Sequence, residues 1–308
     1  MRSRRSSGAA SKARSRAIRS SNRGPGSTRS KWEDTNGWKL KVDARRLHLF
    51  GIGDVRVKLH RELQGTPKAI TVKREGRHWY VTLRCTDVEP KPLEPTGREV
   101  GIDLGVVNLV TTSDGALVQE GRFAGNSQAA LAKAQRDLKQ KKRGSNQRKK
   151  AVLRVARHHR KIRNQRRDLA HKVSRQIVND YDLIVVEDLN VANMVRRPEP
   201  RPVPDGTFEP NGAAAKSGLN RSIHDAGWAQ LTRMLAYKAE GAGRELRVVP
   251  PHFTSQRCSR CEHIDGASRR SQAVFRCTAC GSEAHADVNA ACNVLWAGRA
   301  QRACARAG

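Results

Sequence analysis

Two Cys-x-x-Cys pairs constrain this chain more than any other feature. Cys258 and Cys261 are followed, after fifteen intervening residues, by Cys277 and Cys280. This spacing suits a tetrahedral four-thiolate zinc site, whose knuckles can fold a segment too short to bury a core of its own. Four thiolates leave the metal no open position, so the expected Zn²⁺ is structural, in a ribbon spanning about residues 254–284. His263 and His285 lie close enough to substitute as ligands, but four cysteines make them unnecessary. Cys85, Cys292 and Cys304 read as ordinary small residues. Thiols used for metal rather than disulfides, with no apolar signal-peptide core, suggest a reducing compartment, the bacterial cytoplasm or a nuclear interior, as the home. No apolar run is long enough to span a membrane, so no membrane partner is expected.

Three acids raise a sharper question. Asp103 lies within the apolar strand "VGIDLG", Glu187 closes "LIVVED", and Asp287 opens an Ala-rich helix directly after the second cysteine pair. A carboxylate in an apolar strand is costly unless a cation neutralises it. Three of them on separate elements suggest one converging site for hard divalent cations, which prefer oxygen ligands. The spacing leaves a plain helix N-cap open for Asp287. Asp188 rivals Glu187, but strand alternation places the two on opposite faces, so only one can reach the site.

Charge names the partner class. Lys and Arg number 60 against 29 Asp and Glu, a net charge of +31. Such a field draws polyanions, nucleic acid first among them. Residues 1–36 read as a basic disordered tail, followed over 37–90 by short alternating runs typical of antiparallel strands. These suggest a small basic barrel or sheet. A Pro-rich linker, "DVEPKPLEPTGRE", then leads into strand–helix alternation over 98–308, the pattern of an α/β domain. Within it, 128–179 is a helical region broken into two arms at Gly144-Ser145-Asn146. Val152, Val155, Ile162, Leu169, Val173 and Ile177 draw a narrow apolar stripe along the second arm. Its cationic faces offer Arg148, Lys149, Lys150, Arg154, Arg157, Arg160, Lys161 and Arg163 as nucleic-acid contacts. Residues 196–218 read as a flexible Pro/Gly loop.

The segments "GIDLGVVNLVTTSDG", "IVVEDLNVANM", "DAGWAQLTRMLAYKA", "TSQRCSRC" and "FRCTACGSEAHADVNAACNVL" occur in this order over about residues 98–298. Together they closely resemble TnpB, the OrfB-type protein of bacterial insertion sequences, a relative of the type V CRISPR effectors. The resemblance implies an RNase H-like (RuvC) nuclease domain with an inserted Cys₄ zinc ribbon, preceded over 37–90 by a partial β-barrel that binds nucleic acid. It also implies transposon-associated, RNA-guided cleavage of DNA with Mg²⁺, and partnership with DNA and a guide RNA near the nucleoid. The family's three catalytic acids match Asp103, Glu187 and Asp287. In the family a first barrel strand and a helical recognition segment precede the stretch that begins here at Trp38, where this chain carries a basic tail instead. The alternative is therefore a truncated or repurposed holder of guide RNA and DNA without cleavage. A ribosomal-type zinc-ribbon protein is a weaker rival, since it would need no buried acids.

Overall fold

The computed structural model describes residues 18–19, 27–33, 35–76, 78–119, 123–204 and 207–307. Most of the expected basic tail, residues 1–17 and 20–26, lies outside them. The chain divides into two compact units, the first ending at Glu89 and the second beginning at Pro90.

In the first unit, β1 (Ile18–Arg19), β2 (Ser27–Trp32), β6 (Thr66–Glu75) and β7 (His78–Thr86) form one antiparallel sheet in the order β1-β2-β6-β7. Between β2 and β6, β3 (Trp38–Lys41), β4 (Arg46–Leu49) and β5 (Gly53–Arg56) form a three-stranded sheet in chain order. Alternation places Leu47 and Leu49 inward with Trp32, Trp38 and Ile70 in a single small core. Among the described residues these strands form two sheets and do not close into a barrel. The strand β2 falls inside the stretch read as a tail. Its composition is polar, and it is held by its pairing with β6, from Ser27↔Glu75 to Trp32↔Ile70.

The second unit is built on a five-stranded mixed sheet, ordered β10-β9-β8-β11-β14. Its strands are β8 (Glu99–Asp103), β9 (Asn108–Thr112), β10 (Leu117–Gln119), β11 (Leu183–Glu187) and β14 (Glu245–Val249). The pairs β10–β9 and β9–β8 are antiparallel, whereas β8, β11 and β14 run parallel. Between β10 and β11 lie α1 (Phe123–Lys139) and the long α2 (Asn146–Asp180), which begins at an N-cap where Ser145 accepts from the Arg148 amide. After β11 come α3 (Val191–Met194), the short pair β12 (Arg201–Pro202) and β13 (Phe208–Glu209), α4 (Ala213–Ala226) and α5 (Trp228–Gly241). The helix α4 occupies the end of the expected loop, where an Ala-rich run outweighs its glycine. Gly227, at φ +67°, divides α4 from α5, which starts at Trp228. The ribbon hairpin β15 (Val274–Arg276) and β16 (Glu283–His285) leads straight into α6 (Ala286–Ala307).

The two faces of the sheet bury different partners. Val100, Ile102, Ile184 and Val186 pack with Val173 and Ile177 of α2 and with Leu231 and Leu235 of α5. Leu183, Val185 and Val249 pack with Val294 of α6. The helix α6 lies close because two contact points lack side chains. A Cβ on Gly101 would fall 2.1 Å from the Ala291 carbonyl oxygen, and one on Gly298 2.4 Å from Val185 Cγ2.

The Pro-rich linker is anchored into this unit rather than free. Lys91 and Leu93 donate to the carbonyls of Gly241 and Ala242, and the Asp182 carboxylate accepts from the amides of Thr96 and Gly97. Among the described residues no helix is long and apolar enough to cross a membrane.

Candidate active site and metal centre

Register explains how two of the acids meet. In the parallel pair β8 and β11, Val186 aligns with Ile102, so the next residues, Glu187 and Asp103, stand side by side at the ends of strands about 4.8 Å apart. Side chains two apart share a face. Asp103 therefore shares that of Gly101, and Glu187 that of Val185, the face covered by α6. Asp287 is in the first turn of α6. Glu187 and Asp287 are buried and Asp103 half-buried, whereas Asp188 is exposed.

The electrostatics agree with this convergence. Burial, then the charges of Glu187 and Asp287, push Asp103 up to about 7, against the opposing pull of Arg269. Burial raises Glu187 as well, countered by a hydrogen bond from Thr254. Two partly desolvated carboxyl groups and a third beside them face the neighbouring guanidinium of Arg269, so negative charge is in excess at the site.

Three residues that the sequence reading passed over hold these acids, and two asparagines brace the segment that carries one of the three. Thr254 Oγ1 donates to Glu187 Oε1 at 2.6 Å. Arg269, between the cysteine pairs, donates to Asp287 Oδ1 at 2.9 Å. Asn108 Nδ2 reaches Asp287 Oδ2 at 3.4 Å, and its own Oδ1 accepts from Gln119 at 3.3 Å. These contacts place the Asp287 carboxylate in a tertiary network and not merely at a helix start. Asn293 Nδ2 donates to the carbonyls of Thr254, at 2.8 Å, and Arg257, at 2.7 Å. Asn289 bonds both Arg257 O and the Ser259 amide. Asn289 and Asn293 lie four apart on one helix face, the one sequence signal of this tether.

The cysteines come together as their spacing requires. All four sulfurs lie within 4.8 Å of one another, with Cys258–Cys280 at 3.8 Å and Cys261–Cys277 at 3.6 Å. Tetrahedral Zn–S bonds imply sulfur–sulfur separations of about 3.8 Å, so this donor set fits zinc. The amide of Cys280, then that of Ala279, hold the Cys277 thiol down at about 6 despite burial, as a thiolate ligand needs. His285 is turned away to other use: its Nδ1 accepts from the Asp287 amide at 3.3 Å. The carboxylates are set wider, since among the described residues only the cysteines bring three or more ligand atoms so close. A wider oxygen set suits a bridged pair of hard cations about 4 Å apart.

On α2, Lys149, Lys150, Arg154, Arg157, Lys161 and Arg163 are exposed and Arg160 is half-buried. Arg154 lies 4.0 Å from Asp137 of α1. Arg148 differs from the rest. Its guanidinium donates to Leu138 O and Lys141 O, closing the turn between the two arms.

Fold and site together define a cationic α/β protein with a three-carboxylate cluster at one sheet end, tied to an adjoining tetrathiolate centre. A family model described as "Probable transposase", OrfB of IS605, matches residues 83–197, and a Cas12f1-like TNB-domain model matches residues 228–294. The chain is 39% identical over 270 residues to a protein of Escherichia coli (strain K12) named "Putative RNA-guided DNA endonuclease InsQ", covering 87% of this chain and 66% of that protein. A "Putative RNA-guided DNA endonuclease" of Streptomyces pristinaespiralis is also 39% identical, over 77% of this chain and 54% of its own length. The chain thus spans less than two-thirds of the length of these relatives. A solved CRISPR-Cas12f ternary complex contains a chain that superimposes with a TM-score of 0.46 at 18% identity, over 74% of this chain and 45% of that one. The chain belongs to the TnpB (OrfB-type) family.

Proposed function

We propose that this chain is a transposon-associated, RNA-guided DNA endonuclease with an RNase H-like (RuvC) catalytic domain. The observation that carries this reading is the convergence of Asp103, Glu187 and Asp287 on the α6 side of the sheet, where the charges of Glu187 and Asp287 add to burial in raising the proton affinity of Asp103. The strand order β10-β9-β8-β11-β14, three antiparallel strands followed by two parallel ones, supports it, as do the names of the relatives.

Asp103, Glu187 and Asp287 would hold Mg²⁺. When bound, the metal supplies charge to activate water and to stabilise the leaving oxygen of a phosphodiester. The chain's own residues prepare the site. Thr254 orients Glu187 with its hydroxyl, and Asn108 and Arg269 fix the two oxygens of Asp287. Burial of the acids keeps competing water out and strengthens their grip on a cation. Zn²⁺ at Cys258, Cys261, Cys277 and Cys280 would stiffen the segment that presents Thr254 and Arg269 to the acids. Guide RNA pairing would select the target while Lys149, Lys150, Arg154, Arg157, Arg160, Lys161 and Arg163 follow the phosphate backbone.

The test is to purify the protein with its bound RNA and offer DNA matched to that RNA. Mg²⁺-dependent cutting that disappears in Asp103→Ala supports the proposal. RNA retained with no cutting by the natural chain overturns it.

A further inference from the structure

Phe253 occupies the turn between β14 and the first cysteine pair, and it is an unfavourable residue there on two counts. Its φ of +59° lies in the left-handed region, where glycine is free of strain and a bulky side chain is not. Its side chain is also 56% exposed. The turn itself is tightly held. The Phe253 carbonyl accepts from the amides of Gln256 and Arg257 at 2.9 and 2.8 Å. The next residue, Thr254, is buried, with its hydroxyl on Glu187 and its carbonyl on Asn293. Consecutive Cα atoms are about 3.8 Å apart. An aromatic ring is thus held in solvent one residue from a ligand of the catalytic carboxylate, at a cost that folding alone does not explain. Val107, in the loop that follows Asp103, adds a second exposed apolar side chain near the same strand end.

We infer that Phe253 stacks on an unpaired base of the DNA strand beside the scissile phosphate. The inference rests on the nuclease reading, which places the cut strand at these carboxylates. Three acids repel a phosphate backbone until cations are bound. A neutral ring can hold the strand by its bases regardless of that charge, since every base offers a π-face. Phe253 is then a positioning residue. Two amides on its carbonyl fix its backbone in place, and its partner is DNA, because the strand that lies at the acids is the one to be cut.

The substitution Phe253→Gly separates binding from folding. Glycine accepts φ +59° and removes only the ring, so thermal stability should hold or rise, whereas a structural residue would lose it. The probe is a set of single-stranded DNA oligonucleotides carrying 2-aminopurine at successive positions. They are titrated with the full chain, in the form in which it purifies, in calcium. The natural protein should quench the fluorophore at one position. Phe253→Gly should lose that quenching and bind about tenfold more weakly, and Phe253→Trp should restore both.

Unchanged quenching in Phe253→Gly overturns the inference, even if matched DNA is still cut. Quenching confined to RNA of the same sequence also overturns it. Position-specific quenching lost in Phe253→Gly, by a natural chain that cuts nothing, supports the base contact and sinks the nuclease reading alone.

Discussion

Asp103 gives up its proton only near pH 7, because burial and two neighbouring carboxylates oppose its charge. Its folded pKa lies above the ordinary value of 3.8, so the fold favours the protonated form. The resulting stability is complete below about pH 4 and is lost as pH rises through about 7. Asparagine copies the protonated carboxyl at every pH. Without divalent cations at about pH 8, Asp103→Asn should therefore be the more stable protein by roughly 1–4 kcal/mol, with the gap closing towards pH 4. Calorimetric melting across that range checks it. A constant gap would mean that the carboxyl is not buried among like charges. The same proton competes with any metal, so cation affinity should rise between pH 6 and 8.

At the scale of elements, α6 must lie flat on β8 for Asp287 to reach Asp103. Gly101→Ala would place a methyl 2.1 Å from the Ala291 carbonyl oxygen and 2.6 Å from the Leu295 amide nitrogen, both backbone atoms with little room to yield. Overpacking of this kind costs about 2 kcal/mol or more, which a denaturant melt would register. The ribbon is tied to the same helix through Asn289 and Asn293. Chelating zinc should accordingly speed amide exchange over residues 254–285 and the first turns of α6, while β8 and β11 stay protected. Uniform loosening of the whole unit would contradict a local role.

Much of this was legible in the sequence, because the cysteine spacing and acids ending apolar strands are local signals. The positions of Thr254, Arg269 and Asn108 were not, since they depend on long-range contacts with Glu187 and Asp287 that no short window contains. The strand β2 was hidden for a similar reason. Its alternation is weak, and a distant partner, β6, supplies its order.

Across the molecule, a net charge of +31 dominates encounter with any polyanion. DNA affinity should fall as a power of salt concentration, and Arg157→Ala should reduce the log–log slope by about one without changing target preference. An unchanged slope would remove Arg157 from the backbone contacts. Metal-dependent cleavage by this chain depends on Asp103, Glu187 and Asp287 acting as one cation site. Calorimetric titration of the full chain with Mn²⁺ at about pH 8 tests that most directly. The expected result is saturable binding that is lost alike in Asp103→Asn, Glu187→Gln and Asp287→Asn, with all three variants folded. Equal binding by any of them would contradict it.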